Sequence, residues 1–442
     1  MGKMPMTLTG KMPVLRREQR ETTMDTNISM KFLACLSLAL AGVLALGDFA
    51  ASPAAPRTLV VEAGKHDRVN VPVSVEAPAD AMEADMIIDG KAVPCQVVDG
   101  KLWFIVGNLP AGKTAAYSVT SSDLASDDSP FRVGWVSIKQ SDKQVDVTIG
   151  GKPMTSYVFD YGKAGKNQFR RPYLWPVYGP GQLTMTRPYP TQFENLPKNV
   201  QTDHPHHTSI WIAHGDVNKV DNWTIGPKSG WQVHKGFPLV AGGPVVGIIR
   251  ETLDWTDADK KPNLAETRTI RVYNLPDTAR LLDFELTFEA KYGKVTFGDT
   301  KEGGPLAIRM RTEFQADKNG DKGILVNSQG QQADKAWGQK ARWVDCSGLV
   351  AGKRYGFAMF DSAENLRHPE TWHARTYGLC AVNPFGLHDF PGDKKTRGDW
   401  TIEAGKSATL RYRIYFHDGD AKQAGVDDRW NDYAQPPAVR WK

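Results

Sequence analysis

The segment Asp203–Asp216 is the part of the sequence richest in residues that can do chemistry, because it holds four of the ten histidines. If this segment is an extended strand, His204, His206 and His214 share one face and His207 lies on the other. Converging imidazoles can bind a metal ion, or act as general acid or base because imidazole titrates near neutral pH. A third interpretation is a polar strand end whose histidines only hydrogen-bond. No carboxylate completes a recognised metal-ligand spacing, so we assign no metal ligand and predict no cofactor.

A second candidate is the loop Gly298–Gly304, which carries two carboxylates between glycines. Glycine allows close approach of the backbone to a ligand, and one of the carboxylates could serve as a catalytic base. The alternative is an ordinary hairpin turn. The loop lacks the Lys-Ser/Thr ending of a phosphate-binding loop, which argues against nucleotide binding. The predicted catalytic residues are therefore His204, His206, Glu302 and Asp299.

A third region, residues 367–388, combines histidine, arginine, asparagine and aromatic side chains. This mixture suits recognition of a polar ring with apolar faces, which describes a sugar. A single tryptophan in such a region is often a core residue, which is the alternative for Trp372. The predicted substrate-binding residues are His207, His214, Arg309, Trp372, His373, Arg375, Asn383 and His388.

The elements that must position these residues are predicted to be strands, because apolar and polar residues alternate along most of the chain. Asp99-Gly100 sits between two short apolar runs and is typical of a two-residue hairpin turn. Residues 57–120 are predicted to form a small N-terminal β domain, and the Ser- and Asp-rich residues 121–132 a linker. Residues 133–442 then form the large domain.

Two segments show the alternation most clearly. Residues 282–290 and 410–416 each place an apolar side chain at every second position. A short helix is expected near Val426–Tyr433, and no repeat at solenoid or propeller spacing is present. The predicted fold is all-β, a large antiparallel β-sandwich preceded by a small β domain.

The first residues resemble a targeting segment. Met30-Lys31 precedes the apolar run Phe32–Leu46, and small residues follow. This order is typical of a secretory signal peptide, so residues 1–52 are interpreted as leader and signal peptide of an exported, periplasmic or extracellular protein. No later run is long enough to cross a bilayer, so we predict no membrane insertion of the mature chain.

Charge and cysteine content limit the partners. Residues 1–47 hold six basic and three acidic side chains, so about +2 of the formal +5 remains for the rest, without a basic block. Nucleic acid is therefore not an expected partner. Cys95, Cys346 and Cys380 are too few and too widely spaced for a disulfide framework or zinc cluster. We expect three buried thiols, although Cys346 and Cys380 could pair if the fold brings them together.

Six blocks in order resemble the PmoA-like family, over roughly residues 140–420. The blocks are His204–His207, Ala213–Asn218, Gly298–Gly303, Ala341–Gly348, Asn383–Gly386 and Leu410–Gly419. Members are exported bacterial proteins of unassigned activity, often labelled "methane oxygenase". That label fits poorly, because a particulate methane monooxygenase subunit spans the membrane repeatedly. Thr208-Ser209 departs from the Arg-Gly expected in many relatives, which weakens a role for this position in binding an acidic sugar.

The resemblance extends to galactose-mutarotase-like sandwiches, a fold shared by sugar epimerases, polysaccharide lyases and glycoside-processing enzymes. It implies a carbohydrate ligand and proton transfer by a histidine with a carboxylate or tyrosine. The leading hypothesis is an exported acid–base enzyme that uses His204 or His206 with Glu302 or Asp299. A non-catalytic sugar-binding protein and a metal-dependent hydrolase or oxygenase remain alternatives. The sugar and the oligomeric state are not fixed by the sequence.

Overall fold

Strands dominate this computed structural model, which describes residues 56–78, 85–88, 90–120, 135–160, 170–188, 203–316, 323–392 and 394–442. The predicted leader (1–52) and linker (121–132) lie outside the described residues, so the domain boundaries stay a prediction. Among the described residues there is no helix whose length and hydropathy would let it cross a bilayer.

The first strands are short and lie between Arg57 and Thr120. They are β1 Arg57–Glu62, β2 Arg68–Glu76, β3 Asp85–Ile88, β4 Lys91–Val93, β5 Cys95–Val98, β6 Lys101–Leu109 and β7 Thr114–Thr120. The predicted hairpin joins β5 to β6, and Asp99 and Gly100 have φ values of 57° and 72°, as a tight hairpin turn of this kind requires.

Longer strands follow in the large sandwich. They are β8 Val136–Gln140, β9 Gln144–Ile149, β10 Lys152–Val158, β11 Tyr173–Val177, β12 Ile210–His214, β13 Trp231–Ala241, β14 Val246–Thr256, β15 Pro262–Tyr273, β16 Ala279–Glu289, β17 Val295–Phe297 and β18 Gly303–Arg309. The remaining elements are β19 Gly323–Asn327, β20 Trp343–Val350, β21 Lys353–Asp361, β22 Trp372–Arg375, β23 Leu379–Val382, β24 Trp400–Ile402, β25 Ser407–Asp418, helix α1 Val426–Ala434 and β26 Ala438–Trp441.

Two eight-stranded sheets form the sandwich. The site sheet has the order β22-β23-β18-β12-β11-β10-β9-β8, and the back sheet has the order β13-β14-β15-β16-β25-β21-β20-β19. The ladders between these strands are antiparallel, so the prediction of a large antiparallel β-sandwich is confirmed. The helix predicted near Val426–Tyr433 is also present as α1.

The main core lies between the inner faces of the two sheets. Every second residue of β16 enters it, from Leu282 to Phe288, as the alternation predicted. The neighbouring strand β25 adds its apolar face on the same side of the back sheet. The outward side chains of the two strands pair by charge, since Arg413 contacts Asp283 directly across the ladder. Alternation therefore fixes which face of each strand is buried.

The small β domain has its own core between a five-stranded sheet, order β26-β1-β7-β3-β4, and a three-stranded sheet, order β2-β6-β5. Its first sheet is completed by β26, which follows the sandwich in the sequence. The domain is joined to the back sheet through the buried Gln96 amide, which donates to the Gly242 carbonyl and accepts from the backbone N–H groups of Val245 and Val246.

The cysteines match the expectation only in part. Cys346 and Cys380 are buried in the main core with free thiols, while Cys95 is only partly buried. Burial is the first cause that raises the pKa of Cys346, and the neighbouring Cys380 adds to it. The fold thus brings these two thiols together without a disulfide.

Candidate functional site

The outer face of the site sheet carries a row of side chains set by strand register. On β12, Ile210 and Ile212 enter the main core, so Trp211 points to the opposite face. Trp211 pairs with Ala307 of β18, Ala307 with Ala381 of β23, and Ala381 with His373 of β22. The two alanines therefore form a low floor between an indole ring and an imidazole ring.

A second row on the same face is basic. Arg309 of β18 pairs with Leu379 of β23, which pairs with Arg375 of β22. Both guanidinium groups lie over the ring of Tyr377, at 5.0 Å for Arg309 and 5.6 Å for Arg375. Positive charge near an aromatic face is favourable because the ring carries negative charge density there.

The histidine segment that covers this face is a turn rather than a strand. The backbone N–H of His207 donates to the His204 carbonyl at 2.9 Å, and His204 has a φ of 48°. The strand begins only at Ile210, so the period-of-two assumption behind the predicted faces is wrong for residues 204–207. The turn brings His207 beside His204 and His206 instead of placing it on the opposite side.

Four aromatic rings are stacked in sequence above the floor. Tyr377 stacks on His204 with centroids 5.0 Å apart, His204 on His207 at 4.8 Å, and His207 on Trp211 at 5.2 Å. His206 meets His207 edge-on at 4.5 Å. This ring stack, Tyr377–His204–His207–Trp211, packs the turn against the sheet, and Arg187 adds a hydrogen bond to the His204 carbonyl at 3.1 Å.

Asp203 and His204 form an oriented, partly exposed pair within the ring stack, where His204 lies between Tyr377 and His207. The His204 Nδ1 lies 2.5 Å from one Asp203 oxygen, and Arg187 and Arg309 donate to the other oxygen at 2.8 Å and 3.0 Å. Burial opposes ionisation of Asp203, but the hydrogen bond with His204 and the charges of both arginines outweigh it and lower its pKa. The carboxylate therefore fixes the ring with Nδ1 protonated and Nε2 available as a base.

The other histidines at this face are held in the neutral form. Burial, followed by the charge of Arg171, lowers the pKa of His206 to about 4. Burial also lowers the pKa of His207 well below its ordinary value, and lowers that of His373 to about 3. The Trp337 indole donates to Nδ1 of His373 at 3.2 Å, so the proton of the neutral ring lies on Nε2. These imidazoles can offer hydrogen bonds near neutral pH, but their imidazolium form is hardly populated there, so they cannot serve as imidazolium acids.

Two indole N–H groups at this face are hydrogen-bond donors without an acceptor among the described residues. Trp211 and Trp223 are fully buried, with ring centroids 5.4 Å apart, and both lie in the apolar cluster of the outer face. Within the described ranges, neither Nε1 atom has a hydrogen-bond partner. A buried donor without a partner is unfavourable, so an acceptor from a ligand would improve the site.

Glu302 lies within electrostatic reach of this group. Burial raises the pKa of Tyr377, Arg375 and Arg309 oppose that effect, and the charge of Glu302 adds to it. The Glu302 side chain is about half exposed and pairs with Lys301. Of the two predicted acidic residues, Glu302 is the one whose charge acts on Tyr377 of the ring stack.

His214 and Trp372 do not reach the outer face. His214 is buried, its Nε2 donates to the Gly298 carbonyl at 2.8 Å, and its ring packs on Phe385 at 4.9 Å. Trp372 lies in the main core and donates to the Ala341 carbonyl. Both residues support the sheet from its inner side and are not part of the outer-face site.

The acidic and amide residues of the neighbouring loops are occupied by backbone groups. Asp299 is buried and accepts from the backbone N–H groups of His388 and Gly398, at 3.1 Å and 2.6 Å. Asn383 donates to the Thr300 and Lys301 carbonyls and accepts from two backbone N–H groups. These contacts tie the loop of residues 384–398 to the Gly298–Gly304 loop, and the exposed His388 lies on that loop.

The site thus combines six predicted residues with others that the sequence did not single out. The turn and the register bring together His204, His206, His207, Arg309, His373 and Arg375, with Glu302 nearby. Asp203, Arg187 and Tyr377 were not among the predicted site residues, although Asp203 stands directly before His204. In the part of the chain that the structure describes, no group of three or more His, Cys, Asp and Glu side chains is arranged to hold a metal ion.

Comparison with known proteins gives one family. Residues 144–431 match DUF6807, a family of unknown function. A search of curated proteins finds no match. The family description names no activity, so the resemblance to PmoA-like proteins stays a sequence-based prediction.

Two similar solved structures have low identity. An α-mannosidase from Enterococcus faecalis V583 has a TM-score of 0.41 and 10% identity over 88% of this chain, which spans 46% of the length of that protein. The Slr1438 protein from Synechocystis sp. PCC 6803 has a TM-score of 0.25 and 10% identity, over 64% of this chain and 95% of that protein.

Proposed function

The chain belongs to the DUF6807 family, and we propose that the outer face of its site sheet binds a carbohydrate on which the Asp203–His204 pair performs acid–base chemistry. The observation that carries the proposal is the ring stack, whose second ring is the partly exposed His204, oriented by the Asp203 carboxylate. The proposal includes export of the protein, from the signal-like residues 30–52, and kinship with PmoA-like proteins.

The binding part of the proposal follows from the mixture of groups on this face. A sugar ring has apolar faces and a rim of hydroxyl groups, so it suits flat aromatic surfaces beside neutral hydrogen-bonding groups. The ring stack, the neutral His206 and His373, and the indole N–H groups of Trp211 and Trp223 supply both kinds of contact.

The chemical part uses His204 as the proton-transfer group. Asp203 holds the ring through Nδ1, so Nε2 can accept a proton from a sugar carbon or hydroxyl group and return it later. Arg309 and Arg375 stand where they can stabilise negative charge that develops on the sugar. Glu302 is the candidate for the second acid or base. Epimerisation, elimination and glycoside processing all fit this proton-transfer role.

A non-catalytic sugar-binding protein is the second candidate. It is favoured by the neutral, buried imidazoles of His206, His207 and His373, which are suited to hydrogen bonding. In that case His204 would also serve only as a hydrogen-bonding group.

The test compares His204→Ala and Asp203→Asn with the matched control His66→Ala, which lies in the small β domain away from the site sheet. Purified protein is incubated with neutral and acidic oligosaccharides, and products are followed by mass spectrometry and NMR. We expect turnover to fall by a factor of about 10² to 10⁴ in both site variants, with folding and sugar binding retained.

The outcomes separate the candidates. Sugar binding without any product from the wild-type protein supports the binding protein and rules against the enzyme. If His204→Ala turns the sugar over as fast as the wild-type protein does, the Asp203–His204 pair does not have the proposed catalytic role. Trp211→Ala, which breaks the ring stack, should weaken binding in either case, and unchanged affinity would argue against this face as the sugar site.

A further inference from the structure

A separate cleft of about 630 Å³ lies beyond β22, the edge strand of the site sheet. It is formed by residues 329–340 on one side and by residues 387–392 with Thr396 on the other, and Thr371 lies between them. Its volume lies within the range of about 300–1,000 Å³ that is usual for small-molecule sites. None of the predicted site residues lines it.

The lining of the cleft is polar but almost uncharged. Gln329, Gln331 and Gln339 contribute amide groups, and each amide can both donate and accept hydrogen bonds. Leu387 and Phe390 form an apolar wall opposite these amides. Among the described lining residues Lys340 is the charged one, so the cleft lacks the arginine cluster that anion recognition would require.

Two of the three amides, those of Gln331 and Gln339, are held by hydrogen bonds within the cleft wall. Asn327 donates to the Gln331 side-chain oxygen at 2.7 Å, and the Gln331 amide nitrogen donates to Gln339 at 3.4 Å. Gly338 packs so closely on the opposite segment that an added Cβ would lie 2.4 Å from Pro391. The two walls therefore touch directly at Gly338, and an ordered cleft of this kind loses little freedom on binding.

One aromatic partition separates the cleft from the histidine site. Phe390 lines the cleft, and its ring lies 6.2 Å from the His373 ring and 5.5 Å from the Trp337 ring. Trp337 is in turn the donor to His373. A chain of linked rings that leaves the outer face past β22 would cross this partition and enter the cleft.

We propose that this cleft binds the neighbouring units of a neutral oligosaccharide whose reacting or terminal unit lies on the site sheet. The inference rests on the proposed function and deepens it, because it names a chain of uncharged sugars as the ligand class. Neutral amides opposite apolar and aromatic side chains match the hydroxyl rim and the apolar faces of such units.

The probe is an array of neutral glucose, mannose and xylose oligosaccharides together with the matching single sugars. Affinities of the sugars that bind are measured for the wild-type protein and for the double variant Gln329→Ala/Gln339→Ala. The control is Gln332→Ala, an exposed glutamine of the same segment that is not part of this cleft. We expect the double variant to lose about tenfold affinity for the longer chains and to keep its affinity for single sugars.

Equal losses for long and short ligands, or an unchanged affinity for the long ones, would overturn the cleft as an extension of the site. The variant His206→Ala separates this failure from failure of the proposed function. If binding depends on His206 but not on the glutamines, only the proposal for the cleft is wrong. If binding depends on the glutamines but not on His206, the outer-face site and its extension into the cleft are both wrong. If no sugar of the array binds, the proposed function and the cleft proposal are both wrong.

Discussion

His204 differs from the other histidines of the site in its surroundings. Its ring is partly exposed and bonded to a carboxylate, while His206, His207 and His373 are largely buried beside other rings and positive charges. Desolvation disfavours the imidazolium form, so burial divides the histidines by role. The exposed member can exchange protons with a ligand, and the buried members can orient it.

The pH dependence of sugar binding should follow the buried members. Because the pKa of His206 is lowered to about 4 and that of His373 to about 3, both stay neutral well below pH 6.5. We expect affinity to change little between pH 7 and about pH 5, and to fall as the pH drops below about 4. Calorimetric titration of the His204→Ala variant with a sugar from the array measures this, because that variant lacks the partly exposed imidazole of the same site. A loss centred near pH 6.5 would show that these rings titrate as ordinary exposed histidines.

Sequence spacing found the histidines but not their arrangement. Four histidines within eleven residues pointed to a cluster, yet the turn at His204–His207 and the Asp203 contact depend on arginines about 16 and 106 residues away. Tyr377 lies in the short turn between β22 and β23, and it reaches the stack because β23 pairs with the distant strand β18. Such long-range pairings carry no local signal.

At the scale of single elements, the pairing of β12 with β18 depends on one close contact. His214 and Gly303 are direct partners, and an added Cβ on Gly303 would lie 2.2 Å from the His214 ring. The glycine is therefore required by space, and the histidine fills the position that a side chain would take. β16 and β25 needed no such information, because their alternation alone predicted both strands.

Gly303→Ala should destabilise the protein by about 1–3 kcal/mol, because the buried His214 ring must move away from its bond to Gly298. Urea unfolding followed by tryptophan fluorescence measures the change. The matched control is Gly236→Ala on β13, where nothing lies within 4 Å of the added carbon. If both variants have the same free energy of unfolding, the contact between the two strands is looser than described.

At the scale of the whole molecule, buried histidines should make the fold sensitive to acid. Burial lowers the pKa of His214 to about 4, whereas an imidazole in the unfolded chain titrates near about 6.5. Between these values the unfolded state binds more protons, so the free energy of unfolding falls as the pH is lowered. His214 is 1% exposed, and its lowered pKa reduces the free energy of unfolding by ~3 kcal/mol once the pH has fallen below the folded-state value.

Buried acids act in the opposite direction. Burial raises the pKa of Glu370 and of Asp361, so their stabilising contribution is present at low pH and is lost as the pH rises through the raised values. The histidine effect is therefore measured by difference. His214→Gln should flatten the dependence of unfolding free energy between about pH 6.5 and pH 4, while His66→Gln should not. Parallel curves for wild type and His214→Gln would contradict the assignment.

The pairing of β26 with β1 also sets an order of events during synthesis. Arg440 of β26 contacts Glu62 of β1 across 378 residues, and the Trp441 indole donates to the Glu76 carbonyl of β2. Residues 57–120 leave the ribosome before the sandwich, so β1 stays an edge strand with one unpaired side until the whole sandwich and β26 have been translated. An open edge invites pairing with other chains, so the small β domain is exposed to misassembly throughout translation. If the protein is exported, a chaperone that keeps it unfolded until translation ends would remove that hazard.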